Sequence, residues 1–346
     1  GVQWRPCGMG TGTLARISGK QPGRTILLRG DIDALSVKEE TGLPYASTNP
    51  GVMHACGHDC HISMLLTAVH MIHDIQDQLK GTVVFAFQPA EEIGRGAQSM
   101  IAEGALEGVD ACFGMHVWSD VAAGKVAMRK GAMMASGDRF KVKVIGKSGH
   151  GAQPQRAVDA VVMGAAIVQN LQSLVSRELD PIDTAVVTVG KFTGGTRFNV
   201  IAGTAELEGT TRAFNPEVRN SFAERITRIA KSTAEAMRGT AEVEYEYLVP
   251  VTINDPKMID VAAGAAKKIF GEDGVLEAPQ MMGGEDFSYY QEKIPGAMVL
   301  LGVRNEALGA VWPQHHGCYR VDESVLVKGA ALHVQTALDF LGVELH

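Results

Sequence analysis

Three nearly continuous apolar runs constrain this chain most, because each ends in residues that bind metals or move protons. They are "TILLRGDIDAL" (25–35), "TVVFAFQPAEE" (82–92) and "ACFGMHVW" (111–118). Each reads as a buried strand. Between the first two, "DCHISMLLTAVHMIHDIQDQL" (59–79) places Ile62, Leu65, Leu66, Val69 and Ile72 at helical spacing, with Asp59 expected to cap the helix. After the second, "GAQSMIAEGALEG" (96–108) reads as a short helix. This alternation predicts an α/β layer around a largely parallel mixed sheet flanked by helices. Asp31, Asp33, Glu91, Glu92 and His116 then share the edge at the C-terminal strand ends, where open α/β sheets bind ligands.

From about residue 130 the pattern changes. "DRFKVKVIGK" (138–147) alternates like a half-exposed strand, and residues 157–179 form a long apolar-faced helix. Two strands (184–192 and 203–214), a helix (217–237) and a final strand (241–249) follow. The order β-α-β-β-α-β is the ferredoxin-like arrangement. The α/β pattern then returns, with a helix over 260–270, a buried strand over 297–302 and a terminal helix over 323–341. A chain of 346 residues exceeds what one core usually serves. The expected division is a metal-binding domain over 1–130 and 250–346, with a second α+β domain inserted over 131–249.

The net charge of −7 argues against a nucleic-acid partner. No apolar run is long enough to span a bilayer and no leader pattern opens the sequence, so no membrane is expected. Five cysteines, an odd and sparse set, suit a reducing compartment, and a cytoplasmic location is expected. The glycine-rich "CGMGTG" (7–12) precedes a strand rather than opening a helix, and reads as a turn, not a phosphate cradle.

The densest motif is "HACGHDCH" (54–61). Cys56 and His58, two apart in a glycine-containing loop, can face one point, and Glu91, Glu92 and His116 arrive from separate strand ends. Thiolate, imidazole and carboxylate together suit a divalent metal. A closed structural zinc site would need a second Cys/His pair, which is missing. A redox pair would need Cys-x-x-Cys, whereas Cys56 and Cys60 are four apart, which argues against it. His61, His70 and His73 fall on the helix and read as packing or surface residues. His54 is left open, with a supporting role favoured.

With "MHACGHDCH", "FQPAEE", "GMHVW", "GKSGHGAQP", "GGTRFNVIAGTAELEGTTR", "GGEDFSYY" and "HHGCYR" in this order, the chain resembles the M20 metallopeptidase family across nearly its whole length. It is most similar to the amidohydrolase branch: hippurate hydrolases, N-acyl-amino-acid amidohydrolases and auxin-conjugate hydrolases. The resemblance implies a catalytic domain with an inserted ferredoxin-like lid that dimerises. It also implies two divalent metal ions per subunit (zinc, manganese, cobalt or nickel), held by Cys56, His58, Glu92, His116 and the distant His315. Glu91 would be the general base and Asp33 a carboxylate orienting a ligand. His150 would reach the neighbouring subunit's site and stabilise the oxyanion. Asn199 and Arg212 would contact the substrate's backbone and carboxylate. The implied reaction is hydrolysis of the amide bond of an N-acyl amino acid. Cleavage of short peptides by a dipeptidase or carboxypeptidase of the same family is the nearest alternative, and a non-catalytic metal-binding protein a more distant one. The chain departs from the family at Gly317 and Ser36, where proline is common, and at Cys318. It also starts after the helical segment, with its "RxxHxxPE"-like motif, that usually precedes the first strand.

Overall fold

The computed structural model describes residues 2–345, divided into two compact units. One comprises Gly1–Met133, Thr252–Gln280 and Glu285–His346; the other comprises Met134–Val251 and Met281–Gly284.

In chain order the first unit opens with β1 (Gln3–Cys7), β2 (Gly12–Ser18), β3 (Gln21–Asp31), α1 (His58–Asp74), β4 (Lys80–Gln88), α2 (Gly96–Ala102), β5 (Ala111–Ala122), β6 (Val126–Met128) and β7 (Gly131–Met134). The second unit carries β8 (Gly137–Ile145), β9 (Gly149–His150), α3 (Ala160–Ser173), β10 (Ala185–Gly194), β11 (Val200–Ile201), β12 (Thr204–Ala213), α4 (Pro216–Ala236) and β13 (Thr240–Val249). The first unit resumes with β14 (Thr252–Asn254), α5 (Pro256–Phe270), β15 (Val275–Glu277), α6 (Ser288–Gln291), β16 (Gly296–Arg304) and α7 (Leu326–Leu341).

The main sheet has the order β1-β2-β4-β3-β5-β16-β6-β15. Its centre, β4-β3-β5-β16, is parallel, and antiparallel pairs flank it. Strand alternation sorts the side chains between two faces. Ile26, Leu28, Val83, Phe85, Phe113, Met115, Val299 and Leu301 join α1, α5 and α7 in one apolar core. Residues of the other parity include the buried polar Arg29, Asp31, Gln88 and His116. One face therefore holds the fold and the other carries the chemistry.

Helix ends follow local chemistry. Asp255 caps α5, accepting from Lys257 and Met258 amides, with Pro256 in the first turn. Asn215 and Pro216 start α4 in the same way. The cap expected from Asp59 is not made: α1 begins a residue earlier, behind a left-handed Gly57, and Asp59 lies in its first turn, accepting from the Cys60 amide at 3.0 Å. The 7–12 turn joins β1 to β2 as a hairpin, so it follows a strand as well as preceding one, and no helix follows it. α2 ends at Ala102, short of the expected 108, and α3 gives way at Leu174 to a π-helical turn.

The second unit's strands run β10-β12-β8-β13, all antiparallel, with α3 and α4 packed in its apolar core through Met163, Ile167, Phe222 and Ile226. Among the described residues no helix is long and apolar enough to cross a membrane.

His333, buried on α7 with its ring edge-on to Phe113, tests the packing of the first core. Burial pushes its pKa from 6.5 down to about 3. The unfolded chain therefore takes up this proton before the folded one does. The contribution is fully present above about pH 6.5 and is lost as pH falls towards 3, by at most about 1.4 kcal/mol per pH unit. His333→Leu should flatten that acid limb in denaturant unfolding measured across pH; an unchanged limb would contradict the assignment.

Candidate metal centre

The site is assembled from strand ends and two loops of the first unit. β4 stops at Gln88 before Pro89, and Ala90 takes a left-handed φ of 58° that turns the chain into Glu91 and Glu92. His315 has a φ of 65°. Such non-glycine conformations persist only where the surroundings fix them. Here the His315 amide donates to the Ala55 carbonyl at 2.7 Å. Gln314 donates to the Val117 carbonyl at 3.1 Å and accepts from Ser119 Oγ at 2.6 Å. Gly57, at φ 85°, lies where a Cβ would stand 2.4 Å from Val117 Cγ2, so only glycine fits the loop that separates Cys56 from His58. Gly317 has a similar reason: a Cβ there would lie 2.6 Å from the Lys38 carbonyl oxygen.

One ligand atom each from Cys56, His58 and Glu92 lies within 4.8 Å of the others. Cys56 Sγ is 3.4 Å from His116 Nε2, and His315 Nε2 is 3.4 Å from Glu92 Oε1. The five residues implied as ligands are thus linked. Their remaining atoms are oriented by the protein. His116 Nδ1 donates to the Val117 carbonyl at 2.6 Å, so the Nε2 lone pair faces Cys56 Sγ. His58 Nδ1 donates to the Asp33 carbonyl at 3.0 Å and lies 3.3 Å from Asp33 Oδ1, while Asp33 Oδ2 accepts from the Glu92 amide at 3.0 Å.

These donors fit a divalent cation. His58 Nε2 and Glu92 Oε1 are buried and make no hydrogen bond among the described residues; Asp31 Oδ2 lies 3.3 Å from the first and His315 Nε2 3.4 Å from the second, an arrangement a cation between them would satisfy. Burial, with Glu92, Glu91 and Asp31, pushes the Cys56 thiol well up, so it needs a cation to ionise. Burial pushes the His58 imidazole down, but Asp31 and Asp33 outweigh it and raise it to about 9. His116 is held well below its usual value by burial and by His61, which keeps it neutral.

Beneath the ligands lies a buried charge cluster that the sequence alone did not reveal. Arg29 donates to Asp31 at 2.8 Å, Glu285 at 2.8 Å, Asp286 at 2.9 Å and Gln88 at 3.0 Å. A carboxylate oxygen of Glu91 lies within 4.8 Å of those of Glu285 and Asp286. Burial, then Glu285 and Asp286, pushes Glu91 well up. Asp31, His58, His61 and His116 also gather ligand atoms within 4.8 Å. Asp31 and His61 are committed to other partners, however: Asp31 bonds Arg29 and the His61 Nδ1, and His61 Nε2 accepts from the Val117 amide at 2.9 Å. His61 is therefore buried and engaged rather than an ordinary helix residue. His54 belongs to none of these groups.

Three predicted residues lie in the second unit. His150 ends β9, exposed, paired with Val200 on β11, and its Nδ1 accepts from the Ala152 amide at 3.1 Å. The exposed Asn199 accepts through its carbonyl from the Gly151 amide at 2.9 Å, so it adjoins His150. Arg212 is partly buried on β12, and burial lowers its pKa.

Comparison with known proteins follows the same lines. The family described as peptidase family M20/M25/M40 matches residues 27–339. The chain is 40% identical over 337 residues to N-acetyl-L-cysteine deacetylase of Bacillus subtilis (strain 168), covering 97% of this chain and 79% of that protein. It is 39% identical over 320 residues to IAA-amino acid hydrolase ILR1-like 4 of Arabidopsis thaliana, covering 91% and 73%. The crystal structure of the Bacillus subtilis YXEP protein, described as a dinuclear metal binding peptidase from the M20 family, superposes with a TM-score of 0.86 at 34% identity, covering 99% and 89%.

Cys56→Ser should keep the fold by circular dichroism yet lose most of the zinc retained after equilibrium dialysis, read by elemental analysis. Retention at the wild-type level would remove Cys56 from the ligand set.

Proposed function

We propose that this chain, which belongs to peptidase family M20/M25/M40, is a metal-dependent amidohydrolase that cleaves the amide bond of N-acyl amino acids to a carboxylate and a free amino acid. The observation that carries the reading is the convergence of Cys56, His58 and Glu92, with His58 Nε2 and Glu92 Oε1 buried and making no hydrogen bond among the described residues. Similarity to a deacetylase of N-acetyl-cysteine and to a hydrolase of an acylated amino acid supports the substrate class. Cys56, His58, Glu92, His116 and His315 would hold two divalent ions. Zinc, cobalt, nickel or manganese suits a set of thiolate, imidazole and carboxylate.

When bound, the ions supply Lewis-acid activation of the amide carbonyl and of the attacking water. The chain's own residues then have separate tasks. Glu91 takes the proton of the water and passes it to the leaving amine, a role suited to a carboxyl whose pKa burial raises. Asp33 holds the His58 ring so that Nε2 faces inward. His150 donates to the developing oxyanion, supplied by the lid of a second copy. Asn199 binds the substrate's backbone. Arg212 binds its carboxylate, a task for which the planar guanidinium fork is suited.

A homodimer through the second unit fits the open edge strand β10, whose residues from Gly190 onward are all exposed, Phe192 among them. Exposed Val161 and Val162 on α3 extend the apolar character of this unit's surface. A cytoplasmic location fits five free cysteines.

The test is a metal-reconstituted screen of acetyl- and benzoyl-amino acids against dipeptides. N-acyl amino acids should be turned over, and chelation should abolish the activity. Exclusive cleavage of dipeptides would replace the reading with a peptidase, and full activity after chelation would end it. Glu91→Gln should lower kcat by about 10²–10⁴ with metal content retained. His150→Ala should lower it by about 10²–10³, and an unchanged turnover would remove its role. Phe192→Glu should yield monomers by light scattering; an intact dimer would place the interface elsewhere.

A further inference from the structure

We infer that His61 is a positioning residue for the metal centre, a neutral imidazole that fixes the strand carrying His116 to the buried Arg29–Asp31 pair. The inference rests on the metal-site reading above and goes beyond its ligand set. Three observations carry it.

The first is the tautomer. His61 Nε2 accepts from the Val117 amide at 2.9 Å, so that nitrogen holds a lone pair and the ring proton sits on Nδ1, where it faces Asp31 Oδ1. Both ring nitrogens are spent on the protein, so the ring cannot also ligate a metal, although it lies among the ligands. The second is what Val117 does with its own backbone. Its amide is held by His61, while its carbonyl accepts from His116 Nδ1 at 2.6 Å and from Gln314 Nε2 at 3.1 Å. One peptide segment therefore sets the tautomer and direction of His116 and anchors the loop that delivers His315. The third is packing. The His61 ring meets His116 edge-on at 4.6 Å and stacks on His58 at 5.4 Å, with only 1% of the residue exposed. Behind it Asp31 is fixed by Arg29 at 2.8 Å, and Arg29 by Glu285 and Asp286. The relay runs from a rigid buried ion cluster through His61 to the strand end that aims a ligand.

Outer partners that orient metal-bound histidines typically change metal affinity or activity by 10–100-fold when removed. The test compares wild type, His61→Gln, His61→Asn and His61→Ala after cobalt substitution, reading the thiolate-to-cobalt charge-transfer band, the visible ligand-field band and affinity by chelator competition. His61→Ala should bind cobalt about 10–100-fold more weakly, with a shifted ligand-field band. His61→Gln, whose longer amide can accept from Val117, should restore affinity better than His61→Asn. Wild-type spectra and affinity in all three variants would overturn the assignment while leaving the metal site standing. A wild-type protein that binds no cobalt would overturn the metal site and this inference together. If the alanine variant does not fold, long-range ¹H–¹⁵N spectra of the wild type decide: His61 should carry its proton on Nδ1 at neutral pH, and an Nε2–H tautomer or an imidazolium would refute the relay.

Discussion

Everything at the sheet edge depends on one fully buried guanidinium. Arg29 sits on β3 with no exposed surface and meets three carboxylates, Asp31, Glu285 and Asp286. A charge cluster of this kind adds little net stability, because desolvation consumes most of the Coulomb gain. Breaking it is another matter: an uncompensated buried charge costs about 3–5 kcal/mol. Negative charge is in excess here, and proton uptake relieves it. Burial pushes Glu285 up to about 7 and Asp286 up to about 6, against the pull of Arg29. Burial also opposes ionisation of Asp31, but Arg29, His58 and His61 outweigh it and hold that carboxyl well below its usual range. Asp31 is thus a fixed anion on which two histidines are arranged.

The cluster also ties together segments far apart in the chain. Glu285 and Asp286 precede the short α6, and Asp286 accepts from the Ala97 amide at the start of α2 and from Gln88 at the end of β4. One acid thereby fixes the two elements that flank Glu91 and Glu92. The site is built as rigid strand ends plus two loops, each with a conformational constraint at its bend: Gly57 in one, and His315, held left-handed, in the other.

Much of this was legible in the sequence because it depends on local pattern. The apolar runs of β3, β4 and β5 and the helical spacing of α1 appear close to where periodicity places them. Strand ends then put Asp33, Glu91, Glu92 and His116 at one edge. His315 is different. No spacing rule links it to Cys56, and only the family resemblance pointed to it. Asp31 reads from its strand end as part of the ligand-binding edge, but its partners Arg29, Glu285 and Asp286 do not, because an arginine inside an apolar run and an acidic pair in a loop look ordinary until the fold joins them. His61 reads as a helix residue for a related reason: periodicity places it on α1 but cannot show that its ring turns in under β5. The Asp59 cap failed because the left-handed Gly57 let the helix begin earlier, a choice set by the tight approach of Val117.

The central claim is that these donors form a two-metal centre. Anomalous diffraction from zinc-soaked crystals, recorded on both sides of the zinc absorption edge, tests it most directly. The account predicts two peaks enclosed by Cys56, His58, Glu92, His116 and His315, with none ligated by His61. Absence of anomalous density among these residues, or a peak bonded to His61 Nε2, would contradict it.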